Sequence, residues 1–285
     1  MHADKHIVSL IIPTINRNTL SMVLSALNNQ SRKPDEIIVM EDKEHLGPGT
    51  MLNKGFEKSK GDLIACLGDD NIPGKYWLEN FISEMSKYNA DGVSSNFVED
   101  DPFLQEIRIR RRFPKEVQIN PDGFFGVGGN VMYTRSCLRA CLERDGFIWN
   151  PLFKKVGEDI ELAWRLNAYG YKLVYVINDV RHLKRLSSFQ YFKFQFERGK
   201  GIYDLYIYSK KASKRNQLGN SLLWDKNFKS KGFIKWIRIF WKRILGPFDI
   251  KSFSKLKYYI VFWIGEKFKS AGFLYQAAFR KNNLL

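Results

Sequence analysis

The stretch "LIACLGDDNIPG", residues 63–74, joins a short apolar run to two adjacent carboxylates, an amide, a proline and a glycine. The apolar run is typical of a buried strand that ends just before Asp69 and Asp70. Asp, Asn, Pro and Gly are all turn formers, so this end can be an ordinary turn. Two adjacent carboxylates also repel each other unless a cation shares them, and that would indicate a metal site.

The chain around this stretch alternates strand and helix patterns. Apolar runs predict strands, and helical spacing between them, clearest in "LSMVLSALN" at 20–28, predicts helices. This alternation is typical of a mostly parallel, Rossmann-like α/β sheet flanked by helices. The polar excursion at 99–123 interrupts it, and the alternation of Ile107 and Ile109 with arginines predicts an exposed edge hairpin there.

Polar side chains follow three of the predicted strands at the point where each strand ends. Carboxyl ends of parallel strands meet at one edge of a sheet, where such sheets bind ligands. Three polar strand ends in register therefore favour a binding site over a simple turn. The residues concerned are Thr14, Asn16, Arg17, Glu41, Asp42, Asp69, Asp70 and Asn71.

Formal charge is distributed unevenly along the 285-residue chain, whose net charge is +16. Residues 1–180 contain 22 Lys and Arg against 25 Asp and Glu, whereas residues 181–285 contain 24 against 5. This asymmetry indicates an anionic partner for the last third, either nucleic acid or a membrane. We therefore expect an α/β domain over residues 1–183 and a basic, aromatic-rich helical region over residues 184–285.

Cysteine usage and hydropathy bear on the compartment. The three cysteines form no CxxC pair, and their odd number is typical of free thiols in a reducing environment. No apolar stretch approaches the ~20 residues that span a membrane, and the N-terminal run is too short for the core of a signal peptide. We expect a cytoplasmic protein, peripheral on the cytosolic face of the membrane.

Several enzyme classes are disfavoured by their motifs. The sequence contains neither an HExxH zinc motif nor a GKS/GKT phosphate loop, and "GPGTML" (47–52) lacks the third glycine of a dinucleotide fingerprint. The stretch "GEDIELAWRL" (157–166) leaves two interpretations open. Its first carboxylates can simply stabilise a helix N-terminus, or Asp159 can serve as a general base beside a cleft.

Six motifs in order resemble the family-2 inverting glycosyltransferases of the GT-A fold. They are "VSLIIPTINR" (8–17), "PDEIIVMED" (34–42), "GDLIACLGDDNIP" (61–73), "GVGGNVMYTR" (126–135), "GEDIELAWRLNAYGYKLVYV" (157–176) and "RH" (181–182). The resemblance covers about the whole predicted α/β domain. It implies a GT-A fold and transfer of a sugar from a nucleoside-diphosphate sugar to an acceptor hydroxyl with inversion, in glycan, polysaccharide or glycolipid synthesis.

The resemblance also implies roles for individual residues. Asp159 aligns with the catalytic base, and Asp70 and His182 with ligands of Mn²⁺ or Mg²⁺ on the diphosphate. The residues that would bind the nucleotide sugar are Pro13, Thr14, Asn16, Arg17, Glu41, Asp42, Asn53 and Asp69. The wall facing the donor sugar and acceptor would be Gly128, Gly129, Asn130 and Glu158. Arg198 and Lys200 are the candidates for a basic segment that closes over the diphosphate.

Two departures from the family pattern affect the diphosphate region. Gly68 stands where the acidic triplet usually begins with Asp, which puts metal dependence in doubt; we expect Asp to be tolerated there. The family commonly has Arg-Asn where this chain has Leu52-Asn53, so an arginine facing the diphosphate is missing unless Lys54 or the basic segment after His182 replaces it.

The basic region is open to three interpretations: a membrane-binding helix, a helix packed on the catalytic domain, and a nucleic-acid-binding segment. "GFIKWIRIFWKRILGPF" (232–248) places aromatic and aliphatic residues on one side, bordered by Lys and Arg, as in helices of membrane interfaces. A helix packed on the catalytic domain is the simpler alternative. A second function, a catalytically inactive α/β protein that binds nucleic acid through this region, is disfavoured because no nucleic-acid-binding motif is present. We expect as partners a nucleotide sugar, a glycan or lipid-linked acceptor and an anionic membrane surface.

Overall fold

A computed structural model describes residues 6–110, 116–121, 125, 129–178, 180–214 and 256–279. The chain divides into two compact units, residues 1–185 and residues 186–285. The first unit is an α/β domain with a mixed β-sheet, and the described part of the second unit contains two long helices. The predicted fold class, a mostly parallel sheet flanked by helices with a helical C-terminal region, is confirmed.

The elements of the first unit, in chain order, are β1 Val8–Thr14, α1 Leu20–Asn28, β2 Glu36–Glu41, α2 Pro48–Lys58, β3 Leu63–Cys66, β4 Asn71–Pro73, α3 Trp77–Tyr88, β5 Gly92–Ser95, β6 Val98–Glu99, α4 Pro102–Arg110, β7 Gln118–Ile119, β8 Val131–Thr134, α5 Arg135–Asp145, α6 Glu158–Ala168, β9 Leu173–Val176 and β10 Val180–His182. The second unit contributes α7 Ser188–Lys214 and α8 Leu256–Phe279.

Seven strands form the central sheet in the order β2-β1-β3-β8-β5-β9-β7. β1 is parallel to both β2 and β3, and β5 is parallel to β9. β8 runs antiparallel between β3 and β5, and β7 is antiparallel to β9 at the edge. The carboxyl ends of β1, β2 and β3 therefore lie side by side at one edge of the sheet.

Apolar layers cover both faces of this sheet, which explains why its central strands are continuous apolar runs rather than alternating patterns. In β1, Leu10 and Ile12 pack into one layer with residues of α1 and α3, whereas Ile11 packs into the other with residues of α2 and α5. Both layers are fully enclosed around β1 and β3. The strand ends that carry the polar residues are thereby held by a rigid support.

A second, three-stranded sheet has the order β4-β10-β6. β10 is antiparallel to β4, with His182 opposite Asn71, and parallel to β6, with His182 opposite Glu99. β4 begins directly after Asp70. This register brings the last strand of the first unit beside the acidic pair that follows β3.

The predicted edge hairpin at 99–123 is wrong where the structure describes it, because residues 102–110 form helix α4. Asp101 begins the helix: its Oδ1 accepts from the backbone N–H groups of Phe103, at 2.8 Å, and Leu104, at 3.2 Å. Pro102 occupies the first helical position, where its missing N–H costs nothing. An Asp-Pro helix start therefore prevails over the alternation of isoleucine and arginine that favoured strands.

In the second unit, α7 and α8 run in the same direction, since contacts advance together along both helices. Phe192 stacks on Phe268 with ring centroids 5.1 Å apart, and farther along Gln276 donates to Asp204 at 2.9 Å. The helices approach closely at Gly199 and Gly272, where a Cβ would overlap the partner backbone. Among the described helices, none is long and apolar enough to cross a membrane. The segment 232–248 lies outside the described residues.

Candidate active site

Asp69 is the structural anchor of the acidic pair. It is 2 % exposed, and its Oδ2 accepts from the Thr14 hydroxyl at 2.6 Å. Its Oδ1 accepts from the Arg17 guanidinium, and its backbone carbonyl accepts from the Thr19 hydroxyl at 2.7 Å. Both carboxylate oxygens of Asp69 are thus engaged by residues at the end of β1, so this side chain joins the first and third strand ends.

Asp70 faces a different set of groups. Its Oδ2 accepts from Arg17 at 3.1 Å, and its Oδ1 lies 3.5 Å from Nε2 of His182. Burial disfavours ionisation of Asp70, but His182 and Arg17 outweigh that effect and hold the pKa of the carboxyl below its ordinary value. Asp70 is therefore an ionised carboxylate with one oxygen directed at an imidazole.

His182 is held between two carboxylates. Its Nδ1 lies 2.6 Å from Oε2 of Glu99, on the opposite side of the ring from Asp70. Burial disfavours the imidazolium, yet hydrogen bonds with Asp70 and Glu99 outweigh it and raise the pKa of His182. Glu99 was not among the predicted site residues, because β6 is only two residues long and its neighbours Asp100 and Asp101 read as a polar loop.

The residues predicted after β1 and β2 differ in exposure. Pro13 is half-buried between the buried Ile12 and Thr14 of β1, and Asn16, just after the strand, is exposed and in the left-handed backbone region with φ 61°. Glu41 is exposed at the end of β2, whereas the buried Asp42 accepts from the backbone N–H groups of Leu46 and Gly47, each at 2.8 Å. Asp42 therefore shapes the loop that leads into α2.

Two predicted asparagines direct their side chains into the domain. Asn53 donates to the backbone carbonyl of Trp149 at 2.7 Å and accepts from its N–H at 3.0 Å. Asn130 is fully buried: its Oδ1 accepts from the Trp77 indole at 2.9 Å, and its Nδ2 donates to Ser95 at 2.7 Å. In this structure, these side chains hold the walls around the site.

The glycine motif lies against the acidic motif. Gly129 has φ 69°, a conformation that favours glycine, and a Cβ there would lie 3.4 Å from the backbone nitrogen of Gly68. Gly128 lies outside the described residues. A Cβ on Gly68 would stand 2.7 Å from Nδ2 at the end of the Asn71 side chain, so the expected tolerance of Asp at position 68 stays a prediction that requires this side chain to shift.

The start of α6 places two adjacent carboxylates beside α2. Gly157 precedes the helix, and the side chain of Glu158 packs against Gly49 in the first turn of α2, which follows the end of β2. Oε2 of Glu158 is buried and has no hydrogen-bond partner among the described residues, and burial together with the neighbouring Asp159 raises the pKa of Glu158 well above its ordinary value. Of the two, Asp159 is the carboxylate suited to accept a proton.

A separate ion pair fixes the rest of α6. Glu161 and Arg165 are both buried and contact each other at 2.6 Å, one helical turn apart. Arg165 also contacts Asp145 at the end of α5 at 2.8 Å. Arg165 thus links α6 to the end of α5, and Glu161 pairs with it within the helix.

The remaining predicted residues, Arg198 and Lys200, belong to α7 in the second unit, where Lys200 pairs with Glu197 at 2.9 Å.

A divalent cation can be bound beside the acidic pair only if the substrate supplies some of its ligands. Within the described ranges, no group of three or more His, Cys, Asp or Glu side chains is arranged to hold a metal ion. Asp70 and His182 supply two donor atoms 3.5 Å apart. Neighbouring ligands of an octahedral cation lie about 3 Å apart, given bonds of roughly 2.1 Å, so little adjustment is needed. These residues fit a cation completed by phosphate oxygens and water.

Comparisons with known proteins agree with this architecture. The profile of glycosyl transferase family 2 matches residues 40–142. A mannosyltransferase from Pyrobaculum calidifontis, PcManGT, solved with GDP-Man and Mn²⁺, superposes with a TM-score of 0.60 over 98 % of this chain and 89 % of its own, at 12 % identity. The S. aureus protein TarS gives a TM-score of 0.45 over 70 % of this chain and 42 % of its own, at 11 % identity. No curated protein matches the chain in sequence.

The sheet topology and the superposition on the mannosyltransferase show that the chain has the GT-A fold. The matched segment contains β3, the acidic pair and β8 and is similar to the glycosyl transferase family 2 domain, and together with the fold this match indicates a glycosyltransferase.

Proposed function

We propose that this protein transfers a sugar from a nucleoside-diphosphate sugar to an acceptor hydroxyl with inversion at the anomeric carbon. The observation that carries the proposal is the hydrogen-bonded cluster of Thr14, Arg17, Asp69, Asp70 and His182, which joins the ends of β1, β3 and β10 at one edge. This is the edge at which open α/β sheets bind nucleotides. The exposed Asn16 and Glu41, at the neighbouring strand ends, are suited to bind donor groups of the base and ribose.

In an inverting transfer the acceptor hydroxyl attacks the anomeric carbon from the face opposite the leaving diphosphate. The group that takes its proton must therefore lie on that face of the sugar. The acceptor oxygen forms the new bond to the anomeric carbon while the bond to the diphosphate breaks and its electron pair remains on the diphosphate. The hydroxyl proton passes to the carboxylate of Asp159, which acts as general base. Glu158, whose pKa is raised, is suited instead to donate a hydrogen bond to a sugar oxygen.

Asp70 and His182 would hold a divalent cation that neutralises the charge developing on the departing diphosphate. A mixed carboxylate and imidazole donor set favours Mn²⁺ over Mg²⁺, because Mg²⁺ prefers oxygen ligands. Arg17 contacts both Asp69 and Asp70 and so adds a positive charge beside the proposed cation.

A screen of nucleotide sugars tests the proposal. GDP-sugars come first, since the superposed mannosyltransferase was solved with GDP-Man and Mn²⁺. We expect one nucleotide class to raise the unfolding temperature in the presence of Mn²⁺ and its sugar conjugate to release the nucleoside diphosphate slowly. Absence of stabilisation by every nucleoside diphosphate, with and without Mn²⁺, would overturn the proposal.

We also propose that the second unit attaches the enzyme to anionic membranes from the cytosolic side, where a lipid-linked acceptor would be met. Three apolar side chains of α7 and α8 support this, because Phe189, Ile260 and Leu274 are 77 %, 44 % and 56 % exposed. They lie in the third of the chain that holds 24 basic and 5 acidic residues. Interfacial binding combines insertion of such side chains with about 1 kcal/mol of attraction for each nearby Lys or Arg.

Vesicle co-sedimentation provides the measurement. The full-length protein should sediment with anionic vesicles, bind neutral ones weakly, and lose much of its binding in high salt. Replacing Phe189, Ile260 and Leu274 together by Ser should weaken binding severalfold. The matched control replaces Ile7, Met22 and Leu142, which are exposed apolar residues of the first unit, and should leave binding unchanged. Retardation of RNA or DNA without vesicle binding would overturn the membrane proposal.

A further inference from the structure

We propose that Glu99 is a positioning residue that fixes the tautomer and the orientation of the His182 ring, so that Nε2 is presented beside Asp70. The inference rests on the proposed function, since it gives Nε2 a cation to bind. Neither the motifs of the sequence nor the family match singles out Glu99 for this role.

The contact itself is short and enclosed. Oε2 of Glu99 lies 2.6 Å from Nδ1 of His182, and the two side chains are 6 % and 17 % exposed. On the other side of the ring, Nε2 is 3.5 Å from Oδ1 of Asp70, whose side chain is 14 % exposed. The imidazole therefore lies between two carboxylates, with a different nitrogen toward each.

This arrangement decides which nitrogen carries the proton in the neutral ring. Carboxylates only accept hydrogen bonds, so Glu99 and Asp70 compete for the single proton of the neutral ring, and the shorter contact, 2.6 Å to Glu99 against 3.5 Å to Asp70, places it on Nδ1. The lone pair then lies on Nε2, which is the form that binds a metal ion. Carboxylate partners of this kind orient histidine ligands in metal sites, and their removal weakens metal affinity by about 10- to 100-fold.

The backbone and a neighbouring ring keep the imidazole in place. The parallel register of β10 and β6 puts His182 directly opposite Glu99. The ring of Phe97, two residues earlier in the chain than Glu99, packs on the imidazole with centroids 5.4 Å apart. Two elements fixed by sheet hydrogen bonds thus hold both partners, so the pairing does not depend on a flexible loop.

The adjacent Asp100 provides a contrast that separates positioning from surface charge. Asp100 contacts Arg181 at 2.8 Å and Arg185 at 3.5 Å, both of them exposed side chains. Asp100 directly follows Glu99 in the chain and carries the same charge, but its side chain does not contact the imidazole in this structure. Asp100→Asn is therefore a matched control for Glu99→Gln.

The test measures Mn²⁺ binding directly, with GDP or UDP present, from the free-ion signal in electron paramagnetic resonance. We expect Glu99→Gln to weaken Mn²⁺ affinity by about 10- to 100-fold. Gln can donate to Nδ1 and so stabilise the tautomer with its proton on Nε2. Asp100→Asn should bind Mn²⁺ within about twofold of the wild type. Thermal unfolding of each variant shows whether it is folded at the temperature of the titration.

Nuclear magnetic resonance of the wild-type protein supplies a measurement that needs no Glu99 variant and no metal. We expect a hydrogen-bonded Nδ1–H resonance of His182, assigned by its loss in His182→Asn. A neutral ring with its proton on Nε2 would overturn the inference, and so would wild-type Mn²⁺ affinity in Glu99→Gln. A wild-type protein that shows the Nδ1–H resonance but binds no Mn²⁺ would instead overturn the metal part of the proposed function.

Discussion

Asp159→Asn should reduce turnover by about 10²- to 10⁴-fold, the contribution of a positioned general base. The substitution keeps the size of the side chain but removes its ability to take the acceptor proton. Because that proton moves in the transition state, affinity for the nucleotide sugar should change by less than about threefold. Turnover is measured as release of nucleoside diphosphate, and affinity by calorimetric titration of the donor.

Glu143→Gln is the control for Asp159→Asn, because Glu143 is an exposed carboxylate on α5 and its loss should leave both parameters unchanged. Retained turnover in Asp159→Asn would remove the residue from the chemistry. A loss of donor affinity with turnover intact would assign Asp159 to the helix start alone.

Asp70→Ala should abolish measurable Mn²⁺ binding in the presence of nucleoside diphosphate while leaving the domain folded. Within the acidic pair, Asp70 is the residue whose carboxylate faces His182, through Oδ1. Its Oδ2 contacts the half-exposed Arg17. Its removal therefore deletes a ligand without opening the core. The titration used for Glu99 measures the effect, and thermal unfolding verifies the fold.

Asp69→Ala serves as the comparison, because we expect it to lower the stability of the domain rather than to remove a metal ligand. Its carboxylate is buried and accepts from both Thr14 and Arg17, so truncation leaves the buried hydroxyl of Thr14 without this acceptor. We expect a loss of about 2 kcal/mol or more in the free energy of unfolding. Equal loss of Mn²⁺ binding in both variants with equal stability would contradict the division between anchor and ligand.

The strand ends were predictable from sequence because each follows a continuous apolar run that is typical of a buried strand. Asp69, Asp70 and His182 were found this way or through the family motifs, and the structure brings them together. The inward direction of Asn53 and Asn130 was not predictable, because their partners, Trp149 and Trp77, are distant in sequence and have no periodic relation to them.

Glu99 and α4 were not predicted from the sequence, for two different reasons. A strand of two residues has no measurable period, so nothing in the sequence distinguished Glu99 from its acidic neighbours. For α4 a signal was present, since Asp101 and Pro102 form a typical helix start. The alternation of isoleucine and arginine that follows them favours a strand, although a helix also places Ile107 in a buried position.

The small sheet β4-β10-β6 has a consequence for the order of events during synthesis. Its middle strand is the last strand of the first unit to leave the ribosome, after both of its neighbours. A nascent chain that ends at residue 142 already contains the acidic pair and Glu99, but not the imidazole between them. Contacts of such long sequence separation form late because the loop must close first. The growing chain therefore cannot assemble the proposed cation site until residue 182 has emerged, which delays metal capture until the domain is nearly complete.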